Sequence, residues 1–263
     1  MSGIERIAEA FAAAHADGAR AALMPYLMGG FPDLDTSRRI GLAYAEAGAH
    51  LVELGVPFSD PLADGPVIHA AGTAALRAGA RLHDVLAIAT SIADQIPAVV
   101  MCYSNPVFSH GTERFLDSIV AAGASGLIVP DLPLEEAPGL LDACDERGVA
   151  LVPLVAPTTP DDRLAKIGGR ARGFLYTVSL TGTTGERANL DGALAGVVAR
   201  AAANTTVPVA IGFGIGSPEQ ASAAADAGAD GVIVGSRLVR AAGECSPGEL
   251  RKLVSAFSDA LSG

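Results

Sequence analysis

Lysine is almost absent from this chain of 263 residues. Only two occur, Lys166 and Lys252, and both fall in helical patterns away from the predicted strand ends. Enzymes that form a Schiff base with a carbonyl substrate need a lysine nucleophile in the site. The sequence therefore excludes a Schiff-base aldolase mechanism.

Motifs for metal, nucleophile and dinucleotide chemistry are also missing. The five histidines form no HxH or HExxH pattern, so no metal site is expected. No GxSxG nucleophile elbow occurs. The glycine-rich stretch GFGIGS (212–217) has its third glycine at the wrong spacing for a dinucleotide fingerprint, and it falls late in the chain. Carboxylate chemistry without a cofactor is what remains.

Cysteine and positive charge are scarce. Cys102, Cys144 and Cys245 are widely spaced and form no CxxC pair, which favours a reduced cytoplasmic environment with buried thiols. Lysine and arginine number 18 against 29 aspartates and glutamates, so the net charge is −11 and the pI is about 4.8. Broad nucleic-acid binding needs a basic surface and is not expected.

Long apolar runs are absent too. No uninterrupted stretch reaches the ~18 residues that a membrane span requires. The segment 1–18 lacks the basic region of a signal peptide and predicts an amphipathic N-terminal helix instead. We therefore expect a cytoplasmic protein.

One sequence pattern recurs along the chain: a predicted helix ends in glycine, and a short apolar strand begins within the next three residues. Gly48, Gly123, Gly148 and Gly228 are the predicted helix stops, because glycine adopts the left-handed conformation that closes a helix. Strict alternation of strands and helices predicts a parallel sheet with helices outside. Eight units without a linker favour an α/β fold, a (β/α)8 TIM barrel forming one domain over 1–263. An open doubly wound sheet is the alternative.

The boundaries follow from the apolar patterns and the capping residues. The predicted strands lie near 20–28, 50–55, 97–103, 126–130, 149–155, 173–178, 207–212 and 231–235. The predicted helices lie near 35–47, 67–78, 83–94, 112–122, 134–147, 160–168, 190–203, 217–227 and 247–261, with a short helical pattern after residue 236.

The stretch 51–66, LVELGVPFSDPLADGP, organises the rest of the chain. Side chains alternate along a strand, so Glu53 shares one face with Gly55. A carboxylate inside so apolar a strand is costly to bury without a partner or a purpose. Prolines stiffen the loop that follows, which carries Asp60 and Asp64. A stiff loop just past a strand is where a barrel enzyme presents acid/base groups.

Three loops after predicted strands are rich in glycine: 179–187, 212–219 and 235–240. Glycine exposes backbone N–H groups and lets an anion approach, and the helical pattern after Ser236 adds the positive end of a helix dipole. This matches the phosphate site that many barrels form after strands seven and eight, although glycines also serve tight turns. The apolar side chains near strand ends, which are candidates for a flat pocket, are Tyr26, Met101, Tyr103, Ile128, Tyr176 and Phe213.

Several motifs together resemble the tryptophan synthase α-subunit family. ELGVPFSDPLADGP is the most specific, and YSNPVF (103–108), VPDLP (129–133), GFGI and VGS follow in order. The match runs from about Tyr26 to Ser236. Two positions depart from the family pattern, Met28 in YLMGGFPD and Leu180, and both bear on pocket or lid detail.

The resemblance implies a TIM-barrel lyase that cleaves indole-3-glycerol phosphate to indole and glyceraldehyde 3-phosphate. It implies that Glu53 is the general acid/base, that Asp64 is the second catalytic carboxylate and that Tyr176 lies beside them. It implies a mobile lid at 179–190, in which Thr184 orders Asp64. The phosphate ligands that it implies are Gly185, Gly214, Gly235 and Ser236.

The resemblance also implies a partner, a tryptophan synthase β subunit in an αββα assembly. Pyridoxal phosphate is expected only in that β subunit, and this chain is expected to need no cofactor. The predicted docking face, taken to be exposed, comprises Pro57, Asp60, Asn105, Phe108 and Pro133. Two alternatives stay open at this stage. They are another phosphosugar-acting barrel, such as an isomerase or epimerase, and a subunit that mainly binds and regulates a partner.

Overall fold

A computed structural model describes residues 1–178, 187–212 and 214–263, with side chains described outside 187–193. The strands are β1 Ala22–Met28, β2 Val52–Gly55, β3 Ala98–Met101, β4 Gly126–Ile128, β5 Ala150–Val152, β6 Leu154–Val155, β7 Leu175–Val178, β8 Val209–Gly212 and β9 Gly231–Val234. The helices are α1 Gly3–Ala16, α2 Leu34–Glu46, α3 Pro66–Arg77, α4 Leu82–Ala93, α5 Ser104–His110, α6 Thr112–Ala121, α7 Pro138–Glu146, α8 Asp161–Gly168, α9 Arg187–Ala202, α10 Pro218–Asp226, α11 Ser236–Glu244 and α12 Pro247–Leu261.

The strands form a parallel barrel in the order β5-β4-β3-β2-β1-β9-β8-β7-β6. β5 and β6 are two halves of the predicted fifth strand, interrupted at Pro153. Proline has no N–H to continue a ladder, so β5 pairs with β4 while β6 pairs with β7. The ring is therefore the predicted (β/α)8 barrel, and the open sheet is excluded.

The predicted helix stops are confirmed. Gly48, Gly123, Gly148 and Gly228 all have positive φ, between 65° and 92°. Predicted and observed boundaries differ by up to four residues, with the largest difference at the start of α7. α7 starts at Pro138 rather than 134, because proline takes the first turn of a helix readily. Residues 104–110, for which no helix is predicted between the strand 97–103 and the helix 112–122, form the short helix α5.

The N-terminal helix α1 lies against the barrel interior. Its start is fixed by a capping box in which the Ser2 hydroxyl accepts from the Glu5 N–H and the Glu5 carboxylate accepts from the Ser2 N–H. Its apolar face, Ile7, Phe11 and Ala14, is buried in one cluster with inward side chains of the strands. Packing of this face is what holds the predicted N-terminal helix in place.

The strand alternation predicted for β2 is confirmed. Leu51 packs in the interior cluster, whereas Val52 and Leu54 pack in the cluster that faces the helices. Glu53 therefore points into the barrel, and its Cα lies in register with Tyr26 on β1 and Val99 on β3. This register sets the position of the only charged side chain that is buried among the described residues.

The cysteine prediction is correct in two of three cases. Cys102 and Cys144 are buried, and burial raises the pKa of both thiols. Cys245 is exposed, so the expectation of a buried thiol is wrong there. It lies between the end of α11 and the capping residue Ser246, where the chain turns at the surface. Within the described ranges, no helix has the length and apolarity needed to cross a membrane.

Candidate active site

A cavity of about 390 Å³ opens at the carboxyl ends of the barrel strands. Its wall is formed by residues of β1, β2, β3, β7 and β9, of the loops after β2, β8 and β9, and of α3 and α11. The lining residues are Tyr26, Glu53, Ala63, Asp64, Gly65, Ile68, Met101, Tyr176, Gly214, Ile215, Gly216, Ile233, Gly235, Ser236, Arg237 and Arg240. The cavity thus combines two carboxyl groups, two phenols, apolar side chains and glycine-rich backbone.

Glu53 lies at the base of this cavity with no exposed surface. Neither of its carboxyl oxygens has a hydrogen-bond partner among the described residues. Burial disfavours the charged form, and it raises the pKa of Glu53 from 4.5 to about 8. A raised pKa of this kind is what a catalytic acid in an apolar pocket requires. A carboxyl group in this state carries a proton near neutral pH and can release it during a reaction.

Asp64 reaches the same cavity from the loop after β2. The hydroxyl of Tyr103 donates to Asp64 Oδ1 at 2.8 Å and accepts from the Ala63 N–H at 2.9 Å. The ring of Phe58 stacks on Tyr103 with centroids 5.2 Å apart. Burial raises the pKa of Asp64, while the Tyr103 hydrogen bond and the charge of His69 lower it. Tyr103 therefore both positions this carboxyl group and moderates its pKa.

Two tyrosines flank the carboxyl groups, and each lies over a strand-end glycine. A Cβ built on Gly55 would lie 1.9 Å from the Tyr26 hydroxyl oxygen, and one on Gly212 would lie 2.2 Å from that of Tyr176. The absence of a side chain at these glycines is what admits the two rings. Burial raises the pKa of both tyrosines well above its usual value, so both phenols stay protonated.

The part of the cavity wall formed by Gly214, Gly235 and Ser236, called the anion end below, is suited to an anion. Gly214 has φ of 88°, and its exposed backbone lies beside the start of α11, whose N-cap is Gly235. Ser236 is the first residue of α11, and Gly65 is the N-cap of α3, so two helix N-termini border the cavity. Unpaired N–H groups and the dipoles at these ends favour a negative charge.

A family model for the tryptophan synthase alpha chain matches residues 11–258. The chain belongs to the tryptophan synthase alpha chain family. The alpha chain of Synechococcus elongatus is 52% identical over 235 residues, which cover 89% of this chain and 88% of that relative. The alpha chain of Prochlorococcus marinus is 45% identical over 97% of this chain and 93% of its own length.

Solved structures give the same family. A tryptophan synthase from M. tuberculosis, in an aminoacrylate- and BRD0059-bound form, superposes with a TM-score of 0.90 and 39% identity, covering 98% of both chains. A chain from the tryptophan synthase α2β2 complex of Pyrococcus furiosus has a TM-score of 0.84 and 37% identity, covering 92% of this chain and 98% of that one.

Most of the predicted site residues that can be placed line this cavity. They are Glu53, Asp64, Tyr176, Gly214, Gly235, Ser236, Tyr26 and Met101. Four further positions lie outside the described residues: Thr184, Gly185, Leu180 and Phe213. The lid prediction falls on the same region over 179–186, while residues 187–190 belong to α9 rather than to a loop.

Two residues that were predicted to line the pocket, Tyr103 and Ile128, do not line the cavity wall. Tyr103 contacts Asp64 and does not line the cavity wall. Ile128 is fully buried in the interior cluster and is likewise not a lining residue. Met28, which departs from the family pattern, is buried beside Tyr26 and Val239.

Sequence reasoning missed several lining residues. Ile68 on α3 and Ile215 after β8 extend the apolar wall, and Arg237 and Arg240 on α11 border the anion end. The apolar spacing of α11 predicts which residues face its neighbours, and it therefore carried a signal for the two arginines. The isoleucines lie in loops and helices whose approach to the cavity depends on packing.

All but one of the residues of the predicted docking face are exposed. Asp60, Asn105, Phe108 and Pro133 are exposed, and half of the Phe108 surface is accessible. Pro57 is buried, so the expectation that it is exposed is wrong. It follows β2 directly and packs inward near Gly72 of α3. Leu62, 87% exposed, adds an apolar side chain to this face.

Proposed function

We propose that this chain catalyses the cleavage of indole-3-glycerol phosphate to indole and glyceraldehyde 3-phosphate, a carbon–carbon lyase reaction of tryptophan biosynthesis. The observation that carries the proposal is Glu53, a fully buried carboxyl group with a pKa near 8 in the same cavity as Asp64. Membership of the tryptophan synthase alpha chain family supports this activity over that of another phosphosugar barrel.

Glu53 is the proposed general acid/base. The leaving indole carbon must receive a proton, and the glycerol hydroxyl that becomes the aldehyde must lose one. The electron pair of the broken C–C bond returns to the ring, and that of the O–H bond forms the carbonyl. A protonated carboxyl group with a pKa near 8 can donate the first proton and, once ionised, accept the second.

Asp64 and Tyr176 are the proposed supporting groups. An ionised carboxylate beside the indole N–H stabilises the positive charge that develops when the ring is protonated. The hydrogen bond from Tyr103 favours the ionised form of Asp64 and fixes its orientation. Tyr176 remains a neutral phenol next to the reacting carboxyl group.

The anion end is the proposed phosphate site. Gly214, Gly235 and Ser236 present backbone N–H groups and a hydroxyl, together with the N-terminus of α11. The apolar wall formed by Met101, Ile68 and neighbouring side chains suits the flat indole ring.

A β subunit is the proposed partner, and pyridoxal phosphate is proposed to reside in that subunit rather than in this chain. The exposed apolar side chains Leu62 and Phe108 lie after β2 and β3, on the face that also bears the cavity mouth. Docking there would place the partner where indole is released, and apolar anchors of this kind carry much of the binding energy of protein interfaces.

The test is indole release from indole-3-glycerol phosphate by the purified chain, measured with and without the β subunit. We expect slow release by the chain alone and at least a tenfold increase at saturating β subunit. Absence of indole release under both conditions would refute the lyase assignment, whereas release that the β subunit leaves unchanged would refute only the partner assignment.

A further inference from the structure

Two arginines, Arg237 and Arg240, border the anion end of the cavity. Within the described part of the chain, neither forms an ion pair or a side-chain hydrogen bond. Among the other described arginines, Arg77, Arg81, Arg114 and Arg170 also form no ion pair, whereas eight are paired with carboxylates. The paired arginines are Arg20, Arg38, Arg39, Arg147, Arg163, Arg172, Arg200 and Arg251. In a chain with net charge −11, guanidinium groups left unpaired beside a cavity indicate a place for an external anion.

The helix α11 fixes where the two guanidinium groups are. Its buried side is formed by Leu238, Val239, Ala241 and Ala242, which anchor the helix to its neighbours. Arg237 and Arg240 lie three residues apart on the other side, where side chains of a helix are adjacent. Arg237, in the first turn, is partly buried, whereas Arg240 is exposed. Arg237 is therefore the arginine nearer to the helix N-terminus and to Ser236.

The cavity is divided electrostatically. Glu53 and Asp64 contribute carboxyl groups to the cavity wall, Arg237 and Arg240 contribute guanidinium groups, and neither arginine is among the groups that shift the pKa of Asp64. The pKa of Glu53 is shifted by burial alone. Neither arginine therefore offsets the effect of burial on the two carboxyl groups. A substrate that fits this division has an anion at one end and its reacting centre at the other.

We propose that Arg237 is a substrate-binding residue that forms an ion pair with the phosphate of the substrate, and that Arg240 adds to the positive field at the mouth. The inference rests on the proposed function and extends it. A guanidinium presents paired N–H donors that match phosphate oxygens. It would add direct charge to a site otherwise built from backbone N–H groups and one hydroxyl.

The first experiment measures direct binding of sn-glycerol 3-phosphate by calorimetry, which does not depend on turnover. Arg237→Ala should weaken binding at least tenfold, and Arg237→Lys should recover part of the loss because it restores the charge without the paired donors. Higher salt should weaken binding by the wild-type protein more than by Arg237→Ala. Arg77→Ala is the matched control, because it removes the same charge from an exposed arginine at the far end of α3.

The second experiment measures indole release by the complex with the β subunit. Arg237→Ala should raise KM at least tenfold and leave kcat within about twofold, because the ion pair acts on binding in ground and transition states alike. Arg237→Met, which keeps the aliphatic stem, serves if the alanine variant is unstable. Wild-type affinity for glycerol 3-phosphate in the folded variant would overturn the inference and leave the lyase function intact. If the wild-type protein released no indole but its binding of glycerol 3-phosphate still depended on Arg237, the lyase function alone would be overturned.

Discussion

Replacement of Glu53 by glutamine should change how the stability of this protein depends on pH. The carboxyl group of Glu53 is fully buried, has no hydrogen-bond partner among the described residues and has a pKa near 8. In the unfolded chain the same group is in water and ionises near pH 4.5. The folded state therefore retains a proton that the unfolded state loses, and this difference couples folding to pH.

The sign and the size follow from the raised pKa. The contribution of protonated Glu53 to stability is fully present below pH 4.5 and is lost as pH rises to about 8, because only the unfolded chain gains from ionising in that range. Each pH unit costs about 1.4 kcal/mol, so the loss is about 3 kcal/mol at pH 7. Glutamine cannot ionise, so Glu53→Gln removes this loss.

Urea unfolding at a series of pH values tests this directly. The free energy of unfolding of Glu53→Gln minus that of the wild-type protein should rise by about 3 kcal/mol between about pH 5 and about pH 7.5. Any constant effect of the buried amide cancels, because the prediction concerns only the change with pH. Glu9→Gln on the exposed face of α1 is the matched control, because it makes the same substitution at a side chain that folding leaves exposed to water.

Parallel pH profiles for Glu53→Gln and the wild-type protein would refute the reasoning, since they would mean that Glu53 ionises alike in both states. The same variant should retain glycerol-phosphate binding and lose almost all indole release. Near-wild-type release would remove Glu53 from the proposed chemistry even if the stability result held.

Three further predictions concern the rest of the site. Tyr103→Phe should raise the pKa of Asp64 further in an NMR titration, because the lost hydrogen bond favours the ionised form; an unchanged pKa would contradict this. Gly214→Val should weaken the binding of glycerol 3-phosphate at least tenfold in calorimetry. Gly79 also has positive φ but lies in open space, so Gly79→Val should leave this affinity unchanged. Equal affinities would contradict a phosphate role for the loop. Asp60→Ala should reduce the activation of indole release by the β subunit severalfold, and full activation would remove that residue from the proposed interface.

Much of the fold was predictable from local sequence. Gly48 and Gly228 end helices because other residues resist their backbone conformation, and apolar strands follow at once. Repetition of that unit predicts a parallel sheet with helices outside, and eight such units favour a barrel over the open sheet. The inward orientation of Glu53 also follows from sequence, because side chains alternate along a strand and the neighbours of Glu53 are apolar.

Contacts between distant segments were decided by the tertiary structure. Tyr103 bonds Asp64 across 39 residues of sequence, and the register of β2 with β3, which pairs Gly55 with Met101, brings the two loops together. No local pattern encodes that register, since it depends on the packing of the whole ring.

The tertiary structure also decided which loop residues are exposed and which way polar side chains point. Pro57 was predicted to be exposed because prolines are common in surface loops. It is buried, because α3 approaches it closely. In the sequence Arg237 is a single charged residue on a helix. It lines the cavity only because α11 lies beside the strand ends. Local sequence determined which elements form, because backbone preference and apolar periodicity act over a few residues. Packing determined which side chains meet, because burial depends on every element that surrounds a site.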